Sequence, residues 1–201
     1  MHLVVSPYPN QYEQHVTNDI LGDILVRPIR PEDAPLLVAL FDTLSPQSVY
    51  FRFFTPLKQM PHSMLARFTQ IDYGRDMALV AISESGQTEE MLGAARLIRE
   101  PSLTKAEFSI MVADALHGQG IGAALLQKLI TSARTLGIKT LVGYVLQDNT
   151  QMLRLGRKTG FSQRTNREMG ALELTIDIPS VDIGTKPSGD ASSHRQQALT
   201  V

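Results

Sequence analysis

The run His117-Gly118-Gln119-Gly120-Ile121-Gly122 puts glycine at every second position, between a strand-like stretch, Glu107 to Val112, and a helical one with Ile121, Leu125, Leu129 and Ala133 on one side. Without side chains at 118, 120 and 122, a ligand can reach the backbone, and the unpaired N–H groups of a starting helix point outward with a favourable dipole. That chemistry suits a pyrophosphate. The glycines alone fit a tight strand-to-helix turn that binds nothing equally well. No Gly-Lys-Ser/Thr follows, which excludes an ATP-binding P-loop, and the spacing is not GxGxxG with a ribose-binding acid about 20 residues on, which argues against a dinucleotide fold.

Other chemistry-bearing residues are sparse. Glu107 opens the strand before the loop and, taken alone, reads as a strand-edge carboxylate, solvated or paired with Arg96 or Arg99. Tyr50, Phe51, Phe53 and Phe54 surround Arg52, a patch that divides between core and substrate contact. Asp72, Tyr73, Arg75 and Asp76 mark a turn. His15, His62 and His194 share no ligand spacing, so no metal is expected. The chain has no cysteine, which removes disulfides, thiolate nucleophiles and cysteine zinc sites. Lys plus Arg total 19 against 20 for Asp plus Glu, a balance without the basic excess of nucleic-acid or anionic-membrane binders. No stretch approaches the roughly 18 apolar residues of a membrane span, and the first twenty residues lack a signal-peptide pattern, so a cytoplasmic protein is expected.

The elements that must position these residues follow from periodicity. At 201 residues, one α/β domain is expected, over 23 to 178. Residues 1 to 22 read as a polar lead-in and 184 to 201 as a disordered polar tail. Strands are expected at 24–29, 77–82, 91–98, 107–112, 140–146, 161–166 and 171–176. Helical patterns cover 31–44, 46–54, 61–70, the stretch after Gly120, and 149–159.

The glycine loop resembles the acetyl-CoA signature Q/R-x-x-G-x-G/A of the GNAT family of N-acetyltransferases, with His117 where Gln or Arg is usual. Asn149-x-x-Met152-Leu153-x-Leu155-x-x-Lys158-x-Gly160-Phe161 resembles the family's next helix, which flanks the pantetheine arm. Upstream, VRPIRPED (26 to 33), LSPQSVYFRFF (44 to 54), ARFTQIDYGRDMALVAI (66 to 82) and AEFSIMV (106 to 112) are similar to the acetyltransferase domain of bacterial Pat-type protein lysine acetyltransferases. The likeness covers about residues 5 to 178.

The resemblance implies an α/β (α+β) domain whose mixed, mostly antiparallel sheet of six to seven strands splays between its fourth and fifth strands and carries about four helices. It implies acetyl-CoA as cosubstrate, held by His117, Gly118, Gln119, Gly120, Ile121, Gly122, Ala123 and Asn149, with a backbone N–H near Met111 or Val112 as oxyanion donor. Glu107 becomes the general base, because Pat-like enzymes place theirs in the AEF-type segment. Many family members carry an acidic Tyr on the helix after the fifth strand; here Gly156 stands at that position. The implied acceptor is a protein lysine, plausibly on an acyl-CoA synthetase. A small-amine N-acetyltransferase and a non-catalytic acetyl-CoA sensor are the alternatives.

Overall fold

The computed structural model describes residues 6–83 and 88–179. Its centre is one eight-stranded sheet. In chain order the strands are β1 (Gln14–Asn18), β2 (Gly22–Pro28), β3 (Met77–Ser83), β4 (Glu90–Arg99), β5 (Lys105–Val112), β6 (Thr140–Val145), β7 (Ser162–Asn166) and β8 (Ala171–Asp177). They lie in the order β1-β2-β3-β4-β5-β6-β8-β7, and only the β5–β6 pair is parallel. The helices are α1 (Ala34–Asp42), α2 (Pro46–Phe53), α3 (His62–Thr69), α4 (Ile121–Thr135) and α5 (Thr150–Lys158).

The continuous apolar run of β3 is buried along its whole length, because both faces of the sheet are covered there. Met77, Leu79 and Ala81 join the layer formed with Ile121, Leu125, Leu126 and Leu129 of α4. Ala78, Val80 and Ile82 face Leu37 and Leu40 of α1 and Phe68 of α3. Arg27 at the end of β2 makes two hydrogen bonds to the Asp33 carboxylate, at 2.6 and 2.8 Å, both side chains being buried. This forked pair fixes the turn that launches α1, and it accounts for the spacing of Arg27 and Asp33 in VRPIRPED.

Two expectations are revised. Among the described residues the sheet has an eighth strand and there are five α-helices, where six to seven strands and about four helices were anticipated. The extra strand lies in the supposed lead-in: β1 pairs with β2 from Gln14↔Val26 to Asn18↔Gly22. It is an edge strand of polar residues in which only Val16 packs on the core, so it lacks the apolar alternation that marks a half-buried strand. The polar tail, 184 to 201, lies outside the described residues. Among those described, no helix is long and apolar enough to cross a membrane, and no three His, Asp or Glu side chains gather as a metal site.

The sheet opens where its parallel pair ends. Rungs join Lys105↔Thr140, Ala106↔Leu141 and Glu107↔Val142, and beyond them β5 and β6 diverge. Phe108 sits at the divergence. Its ring packs against Phe161 with centroids 4.9 Å apart and fills the space that a side chain at Gly143 would need. A Cβ at 143 would lie 2.5, 2.7 and 3.1 Å from three ring carbons.

Gly143→Ala must displace that ring in a packed core. It should destabilise the fold by about 1–3 kcal/mol, the usual cost of overpacking. Urea unfolding measures this, and an unchanged midpoint would mean that the ring relocates freely.

Candidate functional site

The opening between β5 and β6 is the floor of a groove of about 1110 Å³ that passes between the start of α4 and α5 and reaches the α2 side of the sheet. Backbone parity decides which groups face it. Ala113 N–H donates to Leu92 O at 3.0 Å and Glu100 N–H to Lys105 O at 2.9 Å, which sets the odd-numbered residues of β5 as hydrogen-bonded partners of β4. The even-numbered residues therefore turn their backbone groups toward β6, whose rungs stop at Glu107↔Val142. The N–H groups of Ile110 and Val112 are left facing the gap. Met111, expected as a donor together with Val112, instead pairs with Ala94, and its side chain is buried under the helices. Ile110 takes its place, a substitution that only strand register could reveal.

The glycine loop is built from several supports. Gly120 is left-handed at φ 91° and precedes α4 without any side-chain cap, and the first intrahelical bond runs from Ala124 N–H to Gly120 O. The amides of Ile121, Gly122 and Ala123 thus have no partner among the described residues, and they start a fifteen-residue helix. Gly118, Gly120, Gly122 and Ala123 line the groove. Gly122 is close to Leu155 of α5, 3.3 Å from where its Cβ would be, so its small size also brings α5 near.

His117 is not turned outward as a free loop side chain. Its Nε2 lies 3.0 Å from Val112 O, an atom that only accepts, so the ring donates and ties the loop to the end of β5. Gln119 donates through Nε2 to Ala115 O, and Ile121 is buried in the core; neither side chain lines the groove. Asn149 caps α5 by accepting from Met152 N–H at 3.0 Å, and it also lines the groove.

A further support was missed in the sequence. Asn18, the last residue of β1, donates to Gln119 O at 2.7 Å, while its Oδ1 accepts from the N–H groups of Ile20 and Leu21. No local pattern could link residues 101 positions apart.

Glu107 stands on the other face of the opening, with Ser109 and Met111 on its own strand and Arg52 of α2 nearby. It is exposed toward the groove but crowded on the strand side. Desolvation pushes its carboxyl above the usual carboxylate range, against the pull of Arg52, with Glu100 adding a further push upward. The aromatic patch serves both ends: Phe53 stacks on Phe68 against the core while lining the groove with Phe51 and Phe54, and Tyr50 is exposed. Gly156 lies on the inner side of α5, where a Cβ would meet Leu174 Cδ1 at 2.7 Å. The groove side of this turn carries Leu155, Met152 and Lys158 instead.

An opened parallel pair, with free strand amides beside an uncapped glycine-led helix, defines a class. Residues 23–162 match the acetyltransferase (GNAT) domain model, and the chain belongs to that family of acetyl-CoA-dependent N-acetyltransferases. An acetyltransferase of Pseudomonas aeruginosa is 31% identical over 139 residues, 69% of this chain and 74% of that protein. Acetyltransferase Pat of Mycolicibacterium smegmatis is 27% identical over 158 residues; the match covers 78% of this chain and 46% of Pat, so the chain spans about half of that relative. The crystal structure of the GNAT domain of S. lividans PAT superposes with a TM-score of 0.78 at 30% identity, covering 85% of this chain and 99% of that one.

Asn18→Ala removes the side-chain bond that holds the Gln119 carbonyl. Amide exchange at Gln119 and Ala124 should rise about fivefold, as expected for the loss of one ordinary hydrogen bond, with exchange in β3 unchanged. Hydrogen–deuterium exchange of the free protein reads this directly; equal rates in both proteins would remove Asn18 as a support of the loop.

Proposed function

We propose that the protein transfers the acetyl group of acetyl-CoA directly to the side-chain amine of a protein lysine, with Glu107 as general base. The observation that carries this reading is the position of Glu107 at the last β5–β6 rung, beside the opening that Ile110 and Val112 line with free amides. In this assignment the pyrophosphate rests on the amides of Gly118 to Ala123, where a helix N-terminus favours negative charge. The rest of the coenzyme follows the groove past Met152 and Leu155 of α5. The residues suit such a ligand: the amides of Ile121, Gly122 and Ala123 are uncapped, and Met152 and Leu155 give an apolar wall where a pantetheine arm would lie.

A lysine of pKa about 10.4 is neutral in only about one molecule per few thousand at pH 7, so its proton must be taken. Glu107 accepts it, and its desolvated carboxyl is a better base than a solvated one. The neutral nitrogen attacks the thioester carbonyl, whose oxygen gains negative charge next to the strand amides. As the C–S bond breaks, the nitrogen gives its second proton to water in the open groove, the thiolate takes a proton from that water, Glu107 returns its own proton to solvent, and the neutral amide and thiol remain. No acyl-enzyme forms, which agrees with a chain that has no cysteine.

Several features support a polypeptide acceptor. Ile98 and Met169 line the groove while 39% and 49% exposed, which gives the groove an apolar rim. Arg52, Arg67 and Arg96 on the acceptor side repel a polyamine or an aminoglycoside. The likeness to Pat points the same way, and an acyl-CoA synthetase is the protein class it suggests.

Ala123→Glu tests the coenzyme placement without straining the backbone, because Ala123 is already helical. A carboxylate at the first turn should weaken acetyl-CoA binding at least about tenfold through repulsion at close range. Calorimetry measures the change, and an unaltered affinity would move the pyrophosphate elsewhere.

Glu107→Gln keeps the side chain's size and removes its basicity. Turnover should fall by about 10² to 10⁴-fold with acetyl-CoA affinity unchanged. A base works only when ionised, so wild-type kcat/KM should rise with pH through the raised pKa of Glu107, and the variant should lose that limb. Full activity with the same profile would place the base at another residue.

A further inference from the structure

The face of β5 that carries Glu107 leads into a separate concentration of positive charge. Arg96 of β4 stands opposite Ser109 of β5 as a hydrogen-bonded pair, so the two side chains emerge together on the α2 side of the sheet. Ser109 is two residues from Glu107, about 7 Å along the strand. Arg52 approaches the same place from α2. These three residues line the large groove, and behind them, against Phe68, Ala94 and Met111, lies a small and mostly apolar recess of about 20 Å³. One ring serves both guanidiniums: Arg96 Cζ is 4.6 Å from the centre of Phe68 and Arg52 Cζ is 5.5 Å from it, while Arg52 also lies 4.9 Å from Phe53.

What this cluster lacks is an acceptor. Nε and Nη1 of Arg96 are buried with no hydrogen-bond partner, and Arg52 has only its ring contacts among the described residues. Glu107 and Asp76 attract Arg52 and Arg96 from a distance, Arg67 adds a third positive charge, and Asp76 Oδ1 is already occupied by Arg99 N–H. Burial, reinforced by Arg96, pushes Arg52 down to about 10, so the guanidinium stays charged at neutral pH. Buried charged donors without an acceptor, as on Arg96, carry their full desolvation cost, and the second guanidinium beside them adds repulsion.

We propose that Arg52, Arg96 and Ser109 form a carboxylate-binding subsite for the acceptor. It rests on the transfer reading above and narrows it: the amine brought to Glu107 belongs to a molecule with a carboxylate close by, which for a protein lysine is an acidic residue flanking it. The guanidinium fork matches a carboxylate edge, and the Ser109 hydroxyl supplies another donor beside it.

Calorimetric titration of the protein–CoA complex tests the subsite without turnover. The probes are two pairs: lysine peptides that differ only in Glu or Gln beside the lysine, and free lysine against lysinamide. The Glu peptide should bind at least about tenfold tighter than the Gln peptide, as a charge-assisted contact requires. That ratio should fall to within about twofold in Arg52→Gln and in Arg96→Gln. Both variants should keep their CoA affinity, because each leaves the coenzyme side of the groove untouched and relieves the repulsion between the two guanidiniums. Arg52→Lys keeps the charge, loses the fork and should retain part of the preference.

A preference shown only by free lysine over lysinamide supports the subsite and assigns its carboxylate to a small acceptor. Equal affinity within both pairs, absence of binding, or a preference that survives both Gln variants overturns it. The lysine-transfer reading fails separately. A Glu peptide that binds with the expected preference and is never acetylated leaves the subsite standing and removes the transfer, whereas Glu and Gln peptides acetylated with equal kcat/KM do the reverse.

Discussion

The parallel ladder between β5 and β6 stops after three rungs, and the rest of the site depends on that interruption. A fully zipped pair would consume the amides of Ile110 and Val112 and close the passage between the two faces of the sheet. With Phe108 lodged against Gly143 and Phe161, the strands separate while the layers on either side stay packed. The gap leaves backbone donors unpaired inside a folded domain, a condition that folded proteins rarely keep away from functional sites. It also joins two compartments with different chemistry.

One compartment is made of backbone. The start of α4, the loop held by His117 and Asn18, and the groove side of α5 offer amides and the apolar side chains of Met152 and Leu155, with Arg154 and Lys158 beside them. The other is made of side chains: Glu107, Ser109, Arg52 and Arg96, gathered on the α2 face. In the proposed reaction the first compartment holds the donor and the second receives the acceptor, so the thioester and the amine meet at the opening. The half built from side chains is where the choice of acceptor would be encoded.

The support of the glycine loop shows how local and distant structure combine. The left-handed Gly120 can be anticipated from its residue type, but the loop is also held by a hydrogen bond from β1, a strand with almost no apolar signal. β1 stays in the sheet because β2 supplies an edge and Val16 packs on the core. Its role at the loop is tertiary.

Much of this protein is legible in its residues alone. The apolar run of β3, the amphipathic stripe of α4 and the glycines between β5 and α4 determine a covered central strand, a helix packed on one face and an open helix start, because burial and backbone freedom follow local sequence. The strand and helix ranges expected from periodicity agree with the structure to within a few residues. Tertiary structure alone decided which amides stay free: register assigns the gap to Ile110 and Val112 and gives Met111 to β4. It turned Gly156 inward against Leu174, and it brought Arg52 and Arg96, 44 positions apart in the chain, around one phenylalanine ring. Periodicity reports which face of an element is buried. Pairing between distant strands sets what each face meets, and that depends on how the whole sheet is assembled.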